Sequence, residues 1–357
     1  MILSELTLRH FKNHQDFHIH FSKPKTIICG NNGTGKTNLL DAIYYLSLSK
    51  SAFHSDKNLV QQNQLFFRIE ATYQYAQKVQ KVVATYTPTE KKFFSIDHYA
   101  FETLAEYIGR FPVILIAPND TDLIREGSEI RRKFFDTLLC QINKVYLQKL
   151  SEYNKLLKQR NALLTHFREK KIFNPTLVEV YDEQLLPLMD YISQMRTTLI
   201  QQINTIFQQY YTTLAQSETE TVHISYVSDC QDSDFKSQFK NALAKDAVLE
   251  RTTLGIHKDD YDFLLKDHPI KKFGSQGQQK TFVIALKFAT FEVLRQQLGI
   301  TPIVLLDDIL DKLDEHRTQR LLNTVAQAPF EQVIITEANA LRVEAINHEK
   351  LWDVIRM

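Results

Sequence analysis

Residues 30–37 read GNNGTGKT and satisfy the pattern GxxxxGK[ST] at every fixed position. The flanks are those the pattern requires: residues 26–29 (TIIC) form a short apolar run predicted as a buried strand, and residues 38–48 carry the apolar periodicity of a helix. A chance glycine-rich turn has no need of both. Chemistry explains the spacing. In a loop running from a strand into a helix N-terminus, the backbone N–H groups of Gly30, Asn31, Asn32, Gly33, Thr34 and Gly35 can close round the β- and γ-phosphates of a nucleotide. Lys36 reaches the same oxygens, and the Thr37 hydroxyl can ligate Mg²⁺. The predicted guest is a nucleoside triphosphate with magnesium.

A chain of 357 residues holds one large or two medium domains with an ample core. Forty-three basic residues against forty-two acidic leave a net charge of +1, so any nucleic-acid contact has to come from local basic stripes rather than from a global field. Cys29, Cys140 and Cys230 are odd in number and widely spaced, which fits reduced thiols in a cytoplasmic protein and neither a disulfide framework nor a zinc site. The N-terminal residues lack the apolar core and small-residue cleavage site of an export signal. There is also no run of eighteen apolar residues, so no membrane role is expected.

Read outward from the glycine loop, residues 3–21 alternate apolar and polar as two strands with Phe11, Lys12 and Asn13 at the bend, and residues 66–75, 79–86 and 93–96 continue an antiparallel β segment. Residues 113–117 (VILIA), bounded by Pro112 and Pro118, read as a fully buried strand. Strands then vanish for about a hundred residues. Tyr146, Leu150, Tyr153, Leu157 and Leu164 make one helical seam, and Leu185, Leu188, Ile192, Met195, Leu199, Ile203, Ile206 and Tyr210 make another, kinked near Pro187. With a polar turn at Asn174 and Pro175, they predict an antiparallel helical pair. The predicted architecture is an α/β core made from both chain ends, with residues 1–118 and 221–357 as ATPase lobe and residues 119–220 as a helical insertion arm.

Two later stretches narrow the chemistry. Residues 303–308 (IVLLDD) are an apolar strand ending in acid; Asp307 is expected in the Mg²⁺ shell, with Asp308 orienting or deprotonating the attacking water. Residues 274–279 (GSQGQQ) open an apolar helix and offer a second anion cradle. Because Lys36 already serves one triphosphate, the second cradle implies a partner's ATP, shared across a dimer. Residues 311–316 (DKLDEH) contain the Leu313 and Asp314 pair expected to communicate across that interface.

GNNGTGKTNLLDAI, VILIAPND followed by EIRRKFFD, LLKQRNALL, IHKDDYDF, GSQGQQKTFVIALKFA and LLDDILDKLD together resemble the RecF family of bacterial recombination and DNA-repair proteins, from end to end. That family belongs to the structural-maintenance-of-chromosomes (SMC) and ATP-binding-cassette (ABC) class. The resemblance implies an ABC/SMC-type P-loop ATPase head with a helical arm. It also implies an ATP-dependent homodimer that binds single-stranded, gapped or duplex DNA, hydrolyses ATP slowly and works with RecO- and RecR-type mediators to load RecA, aiding replication and the SOS response. Carried over by position, residues 30–37 are the phosphate loop, and Ser275, Gly277 and Gln278 fall in the signature motif acting in trans, with Ser275 on the partner's γ-phosphate. Asp307 and Asp308 are the paired acids. The chain departs from the family at Ile256 and Lys258 (IHKDD for PHRDD), at Phe53 and His54, and at Gln276, where arginine is usual; Asn119 is the nearest stand-in for the cassette glutamine. These departures touch basic contacts and leave the nucleotide chemistry intact.

Basic clusters at Arg131, Arg132 and Lys133, at Lys155, Lys158 and Arg160, and at Arg168, Lys170 and Lys171 are candidate DNA-phosphate contacts, except that Arg160 sits in the helical seam and is expected to pair with an acid inside the arm. Two other readings use the same loop. A transport-energising ABC subunit would normally have a second adjacent glycine in its signature motif, which GSQGQQ lacks. A small-molecule kinase would have no use for GSQGQQ.

Overall fold

In the computed structural model, which describes residues 1–310, 313–347 and 351–357, the apolar run before the glycine loop forms the strand Lys25–Cys29. It lies second in a five-stranded sheet ordered Asp353–Arg356, Lys25–Cys29, Val333–Glu337, Ile303–Asp307, Val113–Ile116, in which every pairing is parallel. Every residue of the three strands Val333–Glu337, Ile303–Asp307 and Val113–Ile116 is buried, as unbroken apolar runs require when a parallel sheet is covered on both faces.

The alternating N-terminal segment forms its predicted hairpin, Ile2–Phe11 with His14–His20. That hairpin belongs to a separate six-stranded antiparallel sheet that continues through Phe67–Tyr75, Lys78–Tyr86, Phe93–Ile96 and Tyr99–Ala100. In Phe67–Tyr75 the buried set is Phe67, Ile69, Ala71 and Tyr73, the period-two pattern of a sheet wetted on one face. The helix Lys36–Leu48 contributes Leu39, Leu40, Ala42, Ile43, Tyr45 and Leu46 to one apolar cluster. That cluster also holds Leu6, Leu8 and Val82 of the antiparallel sheet and Leu115, Leu305 and Ile334 of the parallel one. Burial on most sides explains why this helix lacks a clear polar face.

These elements make one compact unit, Met1–Thr121 with Tyr210–Ser217 and Lys280–Met357; the other is Asp122–Gln209 with Glu218–Gln279. Residues 221–279, expected in the ATPase lobe, therefore group with the helical arm. The reason is hydrogen bonding. Among the described residues, Val222–Val227, Asp260–Leu265 and His268–Pro269 pair only with one another, as a three-stranded sheet. Residues of the long helices then satisfy them: the Asn204 amide donates to the Ile224 carbonyl and accepts from the Ile224 N–H, both at 2.9 Å. Arg131 Nε donates to Asp260 at 2.7 Å.

The predicted helical pair is Lys144–Lys170 and Pro175–Ala215, 27 and 41 residues long, or about 40 and 60 Å at 1.5 Å per residue. Asn143 starts the first by accepting from Tyr146 N at 3.0 Å. Pro175, which needs no N–H at a helix start, opens the second. Pro187 lies inside an uninterrupted helix and does not end it. Arg160 is fully buried, as its place in the seam predicted: Nε donates to Asp182 (2.7 Å) and an Nη to Asp246 and Thr252 (2.8 Å each), while the guanidinium carbon lies 5.2 Å from the Phe239 ring centre. A second buried arginine, Arg196, holds Asp136 at 2.9 Å and Asp259 at 2.6 Å.

His257 has Tyr153 Oη at 2.7 Å from Nδ1 and the Thr252 carbonyl at 3.0 Å from Nε2. A carbonyl only accepts, so Nε2 carries the proton and Nδ1 accepts from the tyrosine. Burial pushes this imidazole down from 6.5 to about 4. The unfolded chain takes up a proton as pH falls through the ordinary value; the folded chain resists until about 4. The contribution of His257 is therefore complete above pH 6.5 and lost between 6.5 and 4, amounting to up to about 3 kcal/mol. Urea midpoints are expected to drop between pH 7 and 5 in wild type and to drop less in His257→Gln; equal slopes in the two proteins would refute the assignment.

Candidate nucleotide site

The glycine loop occupies the C-terminal end of Lys25–Cys29 and feeds directly into the helix Lys36–Leu48. Gly33 and Gly35 adopt left-handed backbone, φ 87° and 104°, which turns successive N–H groups toward one side of the loop. Gly35 has no room for a side chain: a Cβ there would come within 2.5 Å of His14 Nε2 and 2.7 Å of Asn13 Nδ2. Both residues grip the loop, Asn13 donating to the Thr34 carbonyl at 3.2 Å and His14 Nε2 lying 3.2 Å from the Gly35 carbonyl. Burial, with Lys12 nearby, holds the His14 imidazole below its ordinary range. Lys36 folds over the loop and donates to the carbonyls of Gly30 (2.7 Å) and Asn31 (3.0 Å).

Asp307 ends the strand Ile303–Asp307, with one strand, Val333–Glu337, between it and the loop strand. Its Oδ1 accepts from Thr37 Oγ1 at 2.9 Å and from Thr336 Oγ1 at 2.8 Å. Burial raises the pKa of this carboxyl, opposed by the two hydroxyl donors. Asp308 follows with φ 46°, an uncommon conformation for a residue with a side chain, and its N–H is held by Thr336 Oγ1 at 3.0 Å. An open pocket of about 290 Å³ is lined by Asn13, Asn32, Gly33, Gly35, Lys36, Thr37, Asn38, Asp308 and Thr336. Loop, lysine, threonine and both acids thus converge, although 270 residues separate Thr37 from Asp307.

His14, which grips the loop without lining the pocket, and Asn13 and Thr336, which line it, belong to no sequence motif. Thr336 links the two acids, donating to Asp307 Oδ1 and accepting from Asp308 N–H, and sits in VIITE, whose apolar run reads as a strand in sequence but whose threonine nothing marks. Asn119 is exposed and does not line the pocket. Asp314, in the stretch expected to communicate across a dimer, caps the helix Glu315–Ala326 by accepting from Arg317 N at 2.8 Å; Asp311 and Lys312 of that stretch lie outside the described residues.

GSQGQQ belongs to the second unit, and its serine is exposed at the start of the helix Gln276–Leu298. Ser275 and Gln278 cap that helix reciprocally: Gln278 Oε1 accepts from Ser275 N at 2.8 Å and Ser275 Oγ accepts from Gln278 N at 3.2 Å. Gln278 Nε2 donates to Glu220 at 2.7 Å, so both ends of that side chain are committed within the fold.

The basic clusters separate on burial. Arg131 is paired with Asp260, and Arg132 donates to Ser128 (2.7 Å) and to the Asp259 carbonyl (2.6 Å); both serve the IHKDD turn and are not free phosphate contacts. Arg168 lies 3.5 Å from Glu250 and donates to the Val248 carbonyl at 3.1 Å. Lys133, Lys155, Lys158, Lys170 and Lys171 are exposed.

A parallel sheet with a phosphate loop on one strand and a buried acid on another, beside an antiparallel sheet, defines the class of ABC/SMC-type P-loop ATPase heads. Residues 2–355 match the family model described as RecF/RecN/SMC N terminal domain. Within that class the chain belongs to the RecF family. It is 41% identical over 339 residues to the DNA replication and repair protein RecF of Cytophaga hutchinsonii, spanning 95% of this chain and 89% of that one. It is 38% identical to the RecF of Flavobacterium johnsoniae, spanning 97% and 96%. A solved structure of the recombination mediator protein RecF-ATP in the RecFOR pathway superposes with TM-score 0.87 at 26% identity, over 94% of this chain and 92% of that one. An SMC head bound to the C-winged helix domain of ScpA shares the fold at TM-score 0.54 and 14% identity, over 96% and 90%. These matches favour the repair family over a transport ATPase or a kinase.

Proposed function

We propose that this chain is a cytoplasmic ATP-controlled DNA-binding protein of recombinational repair. In this reading it dimerises on ATP, binds single-stranded, gapped or duplex DNA, and hydrolyses ATP slowly, in a DNA-dependent way, to release it. RecO- and RecR-type mediators are its partners in loading RecA, which supports replication and the SOS response. One observation carries the nucleotide chemistry: the Thr37 hydroxyl and the Asp307 carboxylate meet at 2.9 Å beneath a loop that only glycine can form at Gly35. That donor set suits magnesium, a hard cation that takes oxygen ligands and keeps most of its water. Among the described residues no helix is long and apolar enough to cross a membrane.

The residues divide the work. Backbone N–H groups of residues 31–37 bind the triphosphate, with Lys36 supplying a mobile positive charge. Thr37 and Asp307 would hold the magnesium, which when bound neutralises charge on the phosphate oxygens. Asp308 is assigned the orienting or deprotonation of the attacking water; its N–H bond to Thr336, its uncommon φ and its position on the pocket lining support that role. Ser275 and Gly277 cover the triphosphate bound by a second copy of the chain; Gln278 acts there by shaping the cap that presents Ser275.

Sedimentation with and without MgATP, alone and with gapped DNA, tests the reading. A shift to dimer mass that requires MgATP, with DNA retained only by the dimer, is expected. A chain that stays monomeric at saturating MgATP and retains DNA regardless would overturn it. Neither Lys36→Arg nor Ser275→Arg is expected to dimerise by itself, since each homodimer would carry the defect at both sites.

The exposed pair Lys155 and Lys158 is the favoured DNA contact. Reversing both charges, Lys155→Glu with Lys158→Glu, is expected to weaken DNA binding about tenfold or more at moderate salt and to reduce the salt slope by about 2. An unchanged isotherm across a salt titration would reject this placement.

A further inference from the structure

We infer that Arg125 and Gln279 form a positioning pair that sets the angle at which the GSQGQQ turn presents Ser275. The inference rests on the reading that this turn covers a second copy's triphosphate. Gln279 follows the stretch that would touch the nucleotide and is buried, 7% exposed, one turn into the helix Gln276–Leu298. Its amide is used at both ends. Nε2 donates back to the Gly274 carbonyl at 3.1 Å and lies 3.4 Å from the Ile270 carbonyl, while Oε1 accepts from Arg125 Nε at 3.2 Å.

The turn so held has no slack. A Cβ on Gly274 would lie 2.5 Å from Ile270 Cγ1 and 2.8 Å from the Ile270 carbonyl, so the chain between the short helix Ile270–Phe273 and the cap at Ser275 passes at glycine distance. Gln279 thus ties the carbonyl immediately before Ser275 to a side chain that comes from 154 residues earlier, at the end of the helix Asp122–Arg125. Ser275 and Gln278 fix the cap internally, and Gln278 anchors one side of it on Glu220. The Arg125 contact, through Gln279, is a second anchor. Two anchors, from consecutive residues that project about 100° apart on the helix, determine an orientation that the reciprocal cap alone leaves free.

Arg125 is exposed, so its truncation removes the anchor without opening a core. In Arg125→Ala the protein concentration for half-dimerisation in MgATP is expected to rise about tenfold, the size of one lost charge-assisted hydrogen bond. The unfolding midpoint is expected to hold, as is ATP affinity measured in a Ser275→Arg background that keeps the chain monomeric. A merely structural role would move the midpoint and leave the dimer constant alone. Gln279→Glu, which keeps an acceptor for Arg125 but loses the donor to Gly274, is expected to weaken dimerisation similarly. If wild type does not dimerise on MgATP, the parent reading falls and this inference with it. If wild type dimerises and both variants match it, the pair does not position the turn and the inference alone is overturned.

Discussion

Lys36→Ala is expected to reduce ATP hydrolysis by at least about 100-fold, the scale on which a single charged stabiliser of a developing anion acts in an enclosed site. Among the described residues the lysine ammonium is the one cation lining the pocket, and in the structure it is held within 3.0 Å of two loop carbonyls that it can exchange for phosphate oxygens. Its removal also unpins the loop, so nucleotide affinity should fall along with turnover. ATP-dependent dimerisation and DNA retention should then be lost together, because both are proposed to require a filled site. Turnover by phosphate release, affinity by a fluorescent nucleotide, and mass by sedimentation measure the three effects separately. Hydrolysis within tenfold of wild type would remove Lys36 from the site. The unfolding midpoint provides the control: among the described residues the hydrogen bonds of Lys36 stay within its own loop, so no large stability change is expected.

Arg160→Ala should destabilise the protein by about 3–5 kcal/mol, the cost of breaking a buried ion pair from one side. The loss is one-sided because Asp182 and Asp246 both remain, facing a cavity where the guanidinium stood, and Asp246 is fully buried. Burial already raises the Asp182 carboxyl against the pull of Arg160, so losing the arginine is expected to push it further in the same direction. Urea unfolding should show the shift directly. Arg160→Met combined with Asp182→Asn and Asp246→Asn removes the stranded charges and should recover part of the loss. A single-variant cost below about 1 kcal/mol would mean that the cluster is solvated in solution.

The nucleotide half of the site was legible because its chemistry constrains the sequence locally. Gly33 and Gly35 must adopt backbone that other residues resist, Lys36 and Thr37 must follow at fixed offsets, and IVLLDD announces a buried strand ending in acid. Thr336 escaped notice because a threonine inside a strand is ordinary in sequence; it acquires a role only when its strand is inserted between the other two. The helical pair was legible from its seams, and Arg160 from standing in one of them. Arg131 and Arg132 misled for the complementary reason. Charge density along a helix does not tell whether an arginine points to water or to an acid 129 residues further along the chain.

The amino-acid sequence by itself determined the phosphate loop, the acid-ended strand, the capped GSQGQQ helix and the two long helices, each defined by spacing within a few turns or strands. Tertiary structure decided what depends on distant partners. It joined Thr37, Asp307 and Thr336 beneath one pocket, drew residues 221–279 to the helices rather than to the ATPase core, and turned IHKDD into an anchor for the buried Arg196 and the half-buried Arg131. Local pattern records the conformational and burial preferences of neighbouring residues; the pairing of buried polar groups is settled only when the folded chain brings donor to acceptor.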